Sequence, residues 1–262
     1  MFNFKDCHKM YINLDHRTDR KLHMENELSR VGITAERFKA FKTNEHIWDT
    51  NKTKVMQNRT PGAIGCHYSQ VEVMKIALEN KKSAFVMEDD LVFCDDFYDR
   101  MQTIEKFLNN NLWDVFWLGG TFHVNPPVWH TGKHPNLLES NFGKDVQCTH
   151  EPRILKTYGC WSTYAYIVNI NSIEKVTNLL DKYVHESMGI DWLFIKLGLH
   201  LNTYCYVPGC VKQLDNKSDI GKGTTMFSAF SKLGPFWWQQ KKEQFDPTTF
   251  NWGEAKYEER GV

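Results

Sequence analysis

Residues 84–93, Ala-Phe-Val-Met-Glu-Asp-Asp-Leu-Val-Phe, set three carboxylates inside an apolar run. If the run is one strand, alternate side chains share a face, so Glu88 and Asp90 point one way and Asp89 the other. Two carboxylates converging at a strand end repel each other unless a cation separates them. Oxygen-only ligands suit Mg²⁺ or Mn²⁺ better than Zn²⁺, and such an ion commonly keeps positions open for a diphosphate. The alternative is a solvated acidic triplet at a strand-to-loop junction, leading to a helix capped by Asp95 or Asp96. The apolar Leu91-Val92-Phe93 that follows argues against a simple exit to solvent. On the residues alone both readings stand.

Other chemistry-bearing residues form weaker patterns. The eleven histidines include no HExxH and no Cys/His zinc spacing, and His67 reads as a packed or surface side chain. Asp219–Thr225, "DIGKGTT", lacks the spacing of a Walker loop. Lys222 within it reads either as a positive charge on a flap over a diphosphate or as part of a solvated glycine-rich linker. Trp237-Trp238 reads as an acceptor platform or as an anchor for the tail.

The elements that must position these residues alternate in the rhythm of βα units. "KMYINL" predicts a strand, and Thr18 or Asp19 caps a helix to about Arg30; "AERFKAF" predicts a second strand. Pro61 to Lys82 predicts a helix, with Val71, Met74, Ala77 and Leu78 at helical spacing. "SAFVMEDDLVF" predicts one strand, residues 96–110 a helix, and "WDVFWLGG" a strand ending in Gly-Gly. Ligands in such α/β halves sit beyond the carboxyl ends of the strands. Residues 121–152 form the longest irregular stretch, the length at which loops are usually functional. Then come "YGCWSTYAYIVN" as a strand, "SIEKVTNLLDKY" as a helix with Ser172 near its start, "GIDWLFIKLGL" as a short helix and "LNTYCYVP" as a strand. Beyond Pro208 no periodicity is visible, and a flexible arm is expected.

Lys plus Arg and Asp plus Glu balance at 32 each, so no global field draws the chain to nucleic acid or an anionic membrane. An anionic ligand must be held locally. No apolar run reaches the roughly 18 residues of a spanning helix, and no secretory leader is visible. Seven cysteines without a CxxC read as free thiols in a reducing compartment, which points to the cytoplasm. Sequons at Asn51, Asn58 and Asn216 keep the secretory lumen open as an alternative.

Three segments resemble glycosyltransferase family 25, the group that includes lipopolysaccharide galactosyltransferases and collagen hydroxylysine galactosyltransferases. "YINLDHRTDR", Tyr11 to Arg20, resembles the family's opening strand and Asn-Leu-Asp-x-Arg-x-Asp-Arg turn. "GAIGCHYSQVEVMKIA", Gly62 to Ala77, resembles its Gly-x-x-Gly-Cys-x-x-Ser helix entry, with Gln70 where His is common. "FVMEDDLVF" resembles its Glu-Asp-Asp strand, and weaker echoes continue to Ile220. The resemblance implies an α/β, GT-A-like nucleotide-binding sandwich over residues 1–220, with residues 221–262 as a C-terminal arm packed on it. It also implies a UDP-sugar donor, Mn²⁺ (or Mg²⁺) between acid side chains and the diphosphate, and inverting transfer of galactose or glucose. The acceptor would be a glycan or a collagen-like protein.

On that resemblance Glu88 and Asp90 are the expected metal ligands, with Asp89 beside them at the cofactor. Asp191 is the expected base, taking the acceptor's proton, with Trp192 beside it to pack on a sugar; its bland role is a helix cap. Asn13, Asp15, Arg17 and Arg20, just past the first strand, are the expected uracil, ribose or phosphate contacts. Arg17 suits a diphosphate, or pairs with neighbouring acids. Ser69 bonds the donor or its own backbone, and Lys222 is expected either as a second positive charge over the diphosphate or as part of a solvated linker. Two other classes compete: a non-catalytic, glycosyltransferase-shaped binding or adhesion module, and a sugar nucleotidyltransferase. The retained acids disfavour the first, and the absence of glycine in "INLDHRTDR" disfavours the second.

Overall fold

The computed structural model describes residues 1–42, 61–122, 149–151, 153–184, 189–207 and 209–214. Lys222, Trp237-Trp238, the three sequons and most of the 121–152 stretch lie outside them.

Strand β1 (His8–Asn13) leads through helix α1 (Thr18–Val31) to β2 (Glu36–Lys39). Helix α2 (Pro61–Glu79) precedes β3 (Ala84–Met87), β4 (Leu91–Phe93) and α3 (Phe97–Leu108). Strands β5 (Val115–Phe122), β6 (Ile154–Thr157) and β7 (Cys160–Val168) follow. Helices α4 (Ile173–Tyr183) and α5 (Ile190–Leu197) then lead to β8 (Thr203–Tyr206) and β9 (Val211–Gln213). Among the described residues, seven strands form one sheet in the order β2-β1-β3-β7-β5-β8-β6. From the pairings, β1, β2, β3, β5 and β8 run one way, and β6 and β7 the other.

Alternation along the central strands sends side chains to both faces. Tyr11, Phe85, Met87, Phe116 and Ile167 pack with Met24 and Leu28 of α1 and with Phe97, Met101 and Ile104 of α3. Met10, Ile12, Val86, Val115, Trp117 and Tyr166 pack on the opposite face with α2, α4 and α5. Burial on both faces explains why these strands read as unbroken apolar runs rather than alternating ones.

Several local expectations change. Residues 84–93 are two strands rather than one: β3 belongs to the large sheet, while β4 pairs antiparallel with β9 in a separate two-stranded sheet. The acids occupy the bend between them. Neither Thr18 nor Asp19 caps α1; Arg17 takes the cap position without a side-chain cap bond. Strand β5 does not stop at Gly119-Gly120 but continues to Phe122 through register shifts. The chain beyond Pro208 contains β9, and β6 arises within what reads as approach to a strand.

The outer edge of β4 is held by side chains of α1. His23 Nε2 donates to Leu91 O at 2.7 Å, Glu27 Oε1 accepts Phe93 N–H at 2.7 Å, and Arg30 Nη2 donates to Phe93 O at 2.6 Å. The spacing suits this: four helical residues advance about 6 Å, and two strand residues about 6.6–6.8 Å. The helix therefore stands in for a neighbouring strand. Glu27→Ala leaves the buried Phe93 N–H without its acceptor, at a cost of about 1–3 kcal/mol. Urea denaturation against the unaltered protein checks it.

At the far end, buried Asp114 accepts Ser172 Oγ at 2.6 Å, Asn202 N–H at 2.7 Å and Lys175 Nζ at 2.9 Å. Burial works against its charge, but these donors outweigh it and hold the carboxyl below its ordinary value. A depressed folded pKa stabilises above the unfolded value of about 3.9 and loses that stabilisation as pH falls through the folded value. The stability difference between the unaltered protein and Asp114→Ala is therefore expected to be widest near neutrality and to shrink below about pH 4. Denaturant melts at both pH values measure it.

Candidate active site

The site forms where β1 and β3, parallel neighbours, end together. After β1 the chain crosses to β2 on one side, then to β3 on the other, so their carboxyl ends flank the point where the winding reverses. Crevices at such points are where ligands enter open α/β sheets. The β1–β3 register pairs Tyr11 with Met87, and two residues further on Asn13 meets Asp89.

Glu88 extends the β3–β7 ladder by one bond, its N–H donating to Tyr164 O at 2.8 Å. The chain then bends, and Leu214 N–H donates to Asp90 O at 2.8 Å at the start of the small sheet. The bend cancels the expected up-down alternation. Asp89 accepts Asn13 Nδ2 at 2.7 Å and Arg20 Nη1 at 2.8 Å, and the same Arg20 nitrogen lies 3.0 Å from Asp90 Oδ2. Asp89 and Asp90 thus share a guanidinium rather than facing opposite ways. Glu88 and Asp90 are also brought together, through Gln213 of β9: its Nε2 lies 3.1 Å from Glu88 Oε2 and 3.2 Å from Asp90 Oδ1.

Electrostatics at this corner are unfavourable to ionised acids. Burial first, then the charges of Asp90 and Asp89, pushes the Glu88 carboxyl above its ordinary range. Asp90 is raised chiefly by burial, against the opposing pull of Arg20. The field of Asp191 reaches both Glu88 and Cys66 of α2, so α5 delivers its acid to the same corner. Arg20 touches two of these acids, Asp89 and Asp90, and its charge also acts on Glu88. These acids offer oxygen atoms, the donor type that hard divalent ions take, although among the described residues no three His, Cys, Asp or Glu side chains are arranged as an ion site.

Asp191 sits half-buried in the first turn of α5. Its Oδ1 accepts Trp192 N–H at 2.9 Å, and its Oδ2 lies 3.4 Å from Ser162 N. Ser162 interrupts β7 with φ +60°, a left-handed conformation strained by about 1–3 kcal/mol for a residue with a Cβ. That kink turns its N–H toward Asp191. Helix α5 reaches this position because Gly159, at φ +136°, lies against it; a Cβ there would meet Ile195 Cα at 2.7 Å.

The remaining expected contacts separate. Asn13 is buried, its amide also accepting Arg37 Nε at 2.8 Å, so it braces Asp89 rather than facing the crevice. Exposed Asp15 is engaged by Arg37 at 2.6 Å and Lys39 at 2.9 Å, and their hydrogen bonds hold its carboxyl down to about 2. Arg17 grips Asp19 with two bonds of 3.0 and 2.9 Å. Ser69 is fully buried: its hydroxyl donates to Gly65 O at 2.6 Å and accepts Phe41 N–H at 2.8 Å, tying the segment that follows β2 to α2. Its hydroxyl is committed to the fold and is not offered to a donor. Gln70, at 1% exposure, accepts Tyr166 OH at 2.8 Å and donates to Thr163 Oγ1 at 3.1 Å, a polar layer beneath the site.

Sequence reasoning missed Gln213, Arg37 and the acid-pairing role of Arg20. Arg37 lies on β2 beside β1, and its alternation with Phe38 was the available signal. Gln213 belongs to a strand too short to show a period.

A large mixed sheet with helices on both faces and acids at the switch point defines a GT-A-like α/β fold. The profile of glycosyltransferase family 25 (LPS biosynthesis protein) matches residues 7–194. The chain belongs to glycosyltransferase family 25. No curated protein matches it. Among solved structures, the UTP-bound UGPase from Acinetobacter baumannii is similar at TM-score 0.41 and 10% identity, covering 78% of this chain and 88% of that one. Among the described residues, no helix is long and apolar enough to cross a membrane.

Proposed function

We propose that this chain transfers a hexose, galactose or glucose, from a UDP-sugar to a hydroxyl of a glycan or a collagen-like protein, with inversion at the anomeric carbon. The observation that carries the reading is the convergence of Glu88, Asp90 and Asp191 at the β1/β3 switch point, in a chain of a glycosyltransferase family. Glu88 and Asp90 would hold Mn²⁺ or Mg²⁺, which when bound supplies positive charge against the diphosphate leaving group. Asn13 and Arg20 fix Asp89 and Asp90, so the acids are preorganised rather than recruited on binding. Asp191 takes the proton of the acceptor hydroxyl as that oxygen bonds to the anomeric carbon. The bond from that carbon to the β-phosphate oxygen breaks, and UDP departs with the electron pair. Ser162 N–H orients the Asp191 carboxylate for this task. Lys222, beyond the described residues, is proposed as a further diphosphate contact.

The test is a panel of UDP-sugars with Mn²⁺, reading UDP release without acceptor and then with glycan and hydroxylysine-containing acceptors. One sugar is expected to release UDP faster when an acceptor is present. UDP binding without turnover of any sugar would favour the binding-module class instead.

A further inference from the structure

The amide nitrogen of Gln213 lies 3.1 Å from Glu88 Oε2, 3.2 Å from Asp90 Oδ1 and 3.3 Å from Asp90 Oδ2. An NH₂ group carries two hydrogens, so three carboxylate oxygens around it exceed what it can satisfy with straight bonds. The nitrogen occupies the focus of these oxygens, with its partial positive charge where the acids most need one. The backbone holds it there. Gln213 is the residue paired with Leu91, and Leu214 N–H closes on Asp90 O at 2.8 Å, so the side chain is aimed by the ladder of the small sheet.

A glutamine amide is two-faced. A half-turn about its last torsion exchanges the nitrogen with the oxygen at nearly the same reach, and that torsion is broad and soft. Facing carboxylates alone, the NH₂ end is favoured; facing a cation, the oxygen end is. Amide oxygens are ordinary ligands of hard divalent ions and add no charge to the two carboxylates that Gln213 already faces.

We infer that Gln213 is a reversible third arm of the ion site, shielding Glu88 and Asp90 with its NH₂ in the ion-free protein and turning its amide oxygen onto the ion when one arrives. The inference rests on reading Glu88 and Asp90 as the ion's carboxylates. It assigns to β9 a function in the site: the small sheet brings a neutral oxygen to face two acids on the bend after β3. A further consequence is that ion binding and the order of β9 are coupled, since the ligand and the strand are the same residues.

The experiment is a Mn²⁺ titration of the full chain in the presence of UDP, followed by the loss of the free-ion paramagnetic resonance signal. Thermal unfolding without ion is recorded alongside. Gln213→Ala is expected to weaken Mn²⁺ binding about tenfold or more, the range seen when groups supporting a metal site are removed. Gln213→Glu keeps an oxygen ligand but loses the NH₂ shield, so it is expected to retain Mn²⁺ binding while unfolding at a lower temperature than the unaltered protein in the absence of ion. A merely structural glutamine would not divide the two variants in this way. Unchanged Mn²⁺ affinity in Gln213→Ala overturns the role of Gln213 alone. Failure of the unaltered protein to bind Mn²⁺ overturns the ion site itself, and the inference with it.

Discussion

Asp90→Asn is expected to abolish measurable hexose transfer, a loss of about 10³-fold or more, while the ion-free protein stays folded. The size follows from the charge problem at the leaving group: a divalent ion at a departing diphosphate is worth several kcal/mol, and each 1.36 kcal/mol is tenfold in rate. Asp90 is in contact with both Arg20 and Gln213. Folding is expected to survive because burial already holds the Asp90 carboxyl above its ordinary value. A carboxyl with a raised folded pKa binds its proton more readily in the folded state, so ionising it costs stability as pH rises through that window. A neutral amide of the same shape removes that cost. Melting temperatures of the two proteins without ion, together with Mn²⁺-dependent UDP release, separate loss of chemistry from loss of fold.

The second large effect is at Asp191. Asp191→Asn is expected to cut transfer about 10²–10⁴-fold, the usual contribution of a general base, with affinity for UDP and Mn²⁺ unchanged. The amide can still accept the Trp192 N–H that Oδ1 accepts now, at 2.9 Å, so the first turn of α5 is preserved. What it cannot do is take a proton from an acceptor hydroxyl. If Asp191 were only a cap, the same substitution would leave turnover near the starting rate, and Asp191→Ala would lower stability by about 0.5–2 kcal/mol instead. Single-turnover assays with a fixed donor, beside isothermal titration of UDP, distinguish the two.

Much of the fold was legible because its central strands are buried on both faces. Met10-Tyr11-Ile12, Ala84-Phe85-Val86-Met87 and Val115-Phe116-Trp117-Leu118 are apolar without interruption for that reason, and α1 and α3 each bury one stripe, while α2 is buried around most of its circumference. Shorter elements were not. Strands β4 and β9 have three residues each, below the length at which alternation can be told from chance. The acids at 88–90 were legible as a cluster, but their directions were not. Period-two reasoning holds only along a continuous strand, and here the chain leaves one sheet for another within three residues. That is why Asp89, expected to oppose its neighbours, shares Arg20 with Asp90. Ser69 shows the converse: a small hydroxyl in a family motif suggests a ligand contact, whereas its position four residues after Gly65 allows it to bond back to the helix and brace Phe41. Gln213 carried no signal, since its meaning depends on a strand pairing that joins residues more than a hundred positions apart.

The central claim is that Glu88 and Asp90 together grip a divalent ion at the nucleotide's diphosphate. Crystals grown with UDP and Mn²⁺, with data collected at the manganese absorption edge, test it most directly. The account predicts one anomalous peak within ligand distance of Glu88 Oε2 and an Asp90 oxygen, with the diphosphate on its open side. A UDP molecule bound at this corner with no such peak, or a peak held by other residues, would contradict it.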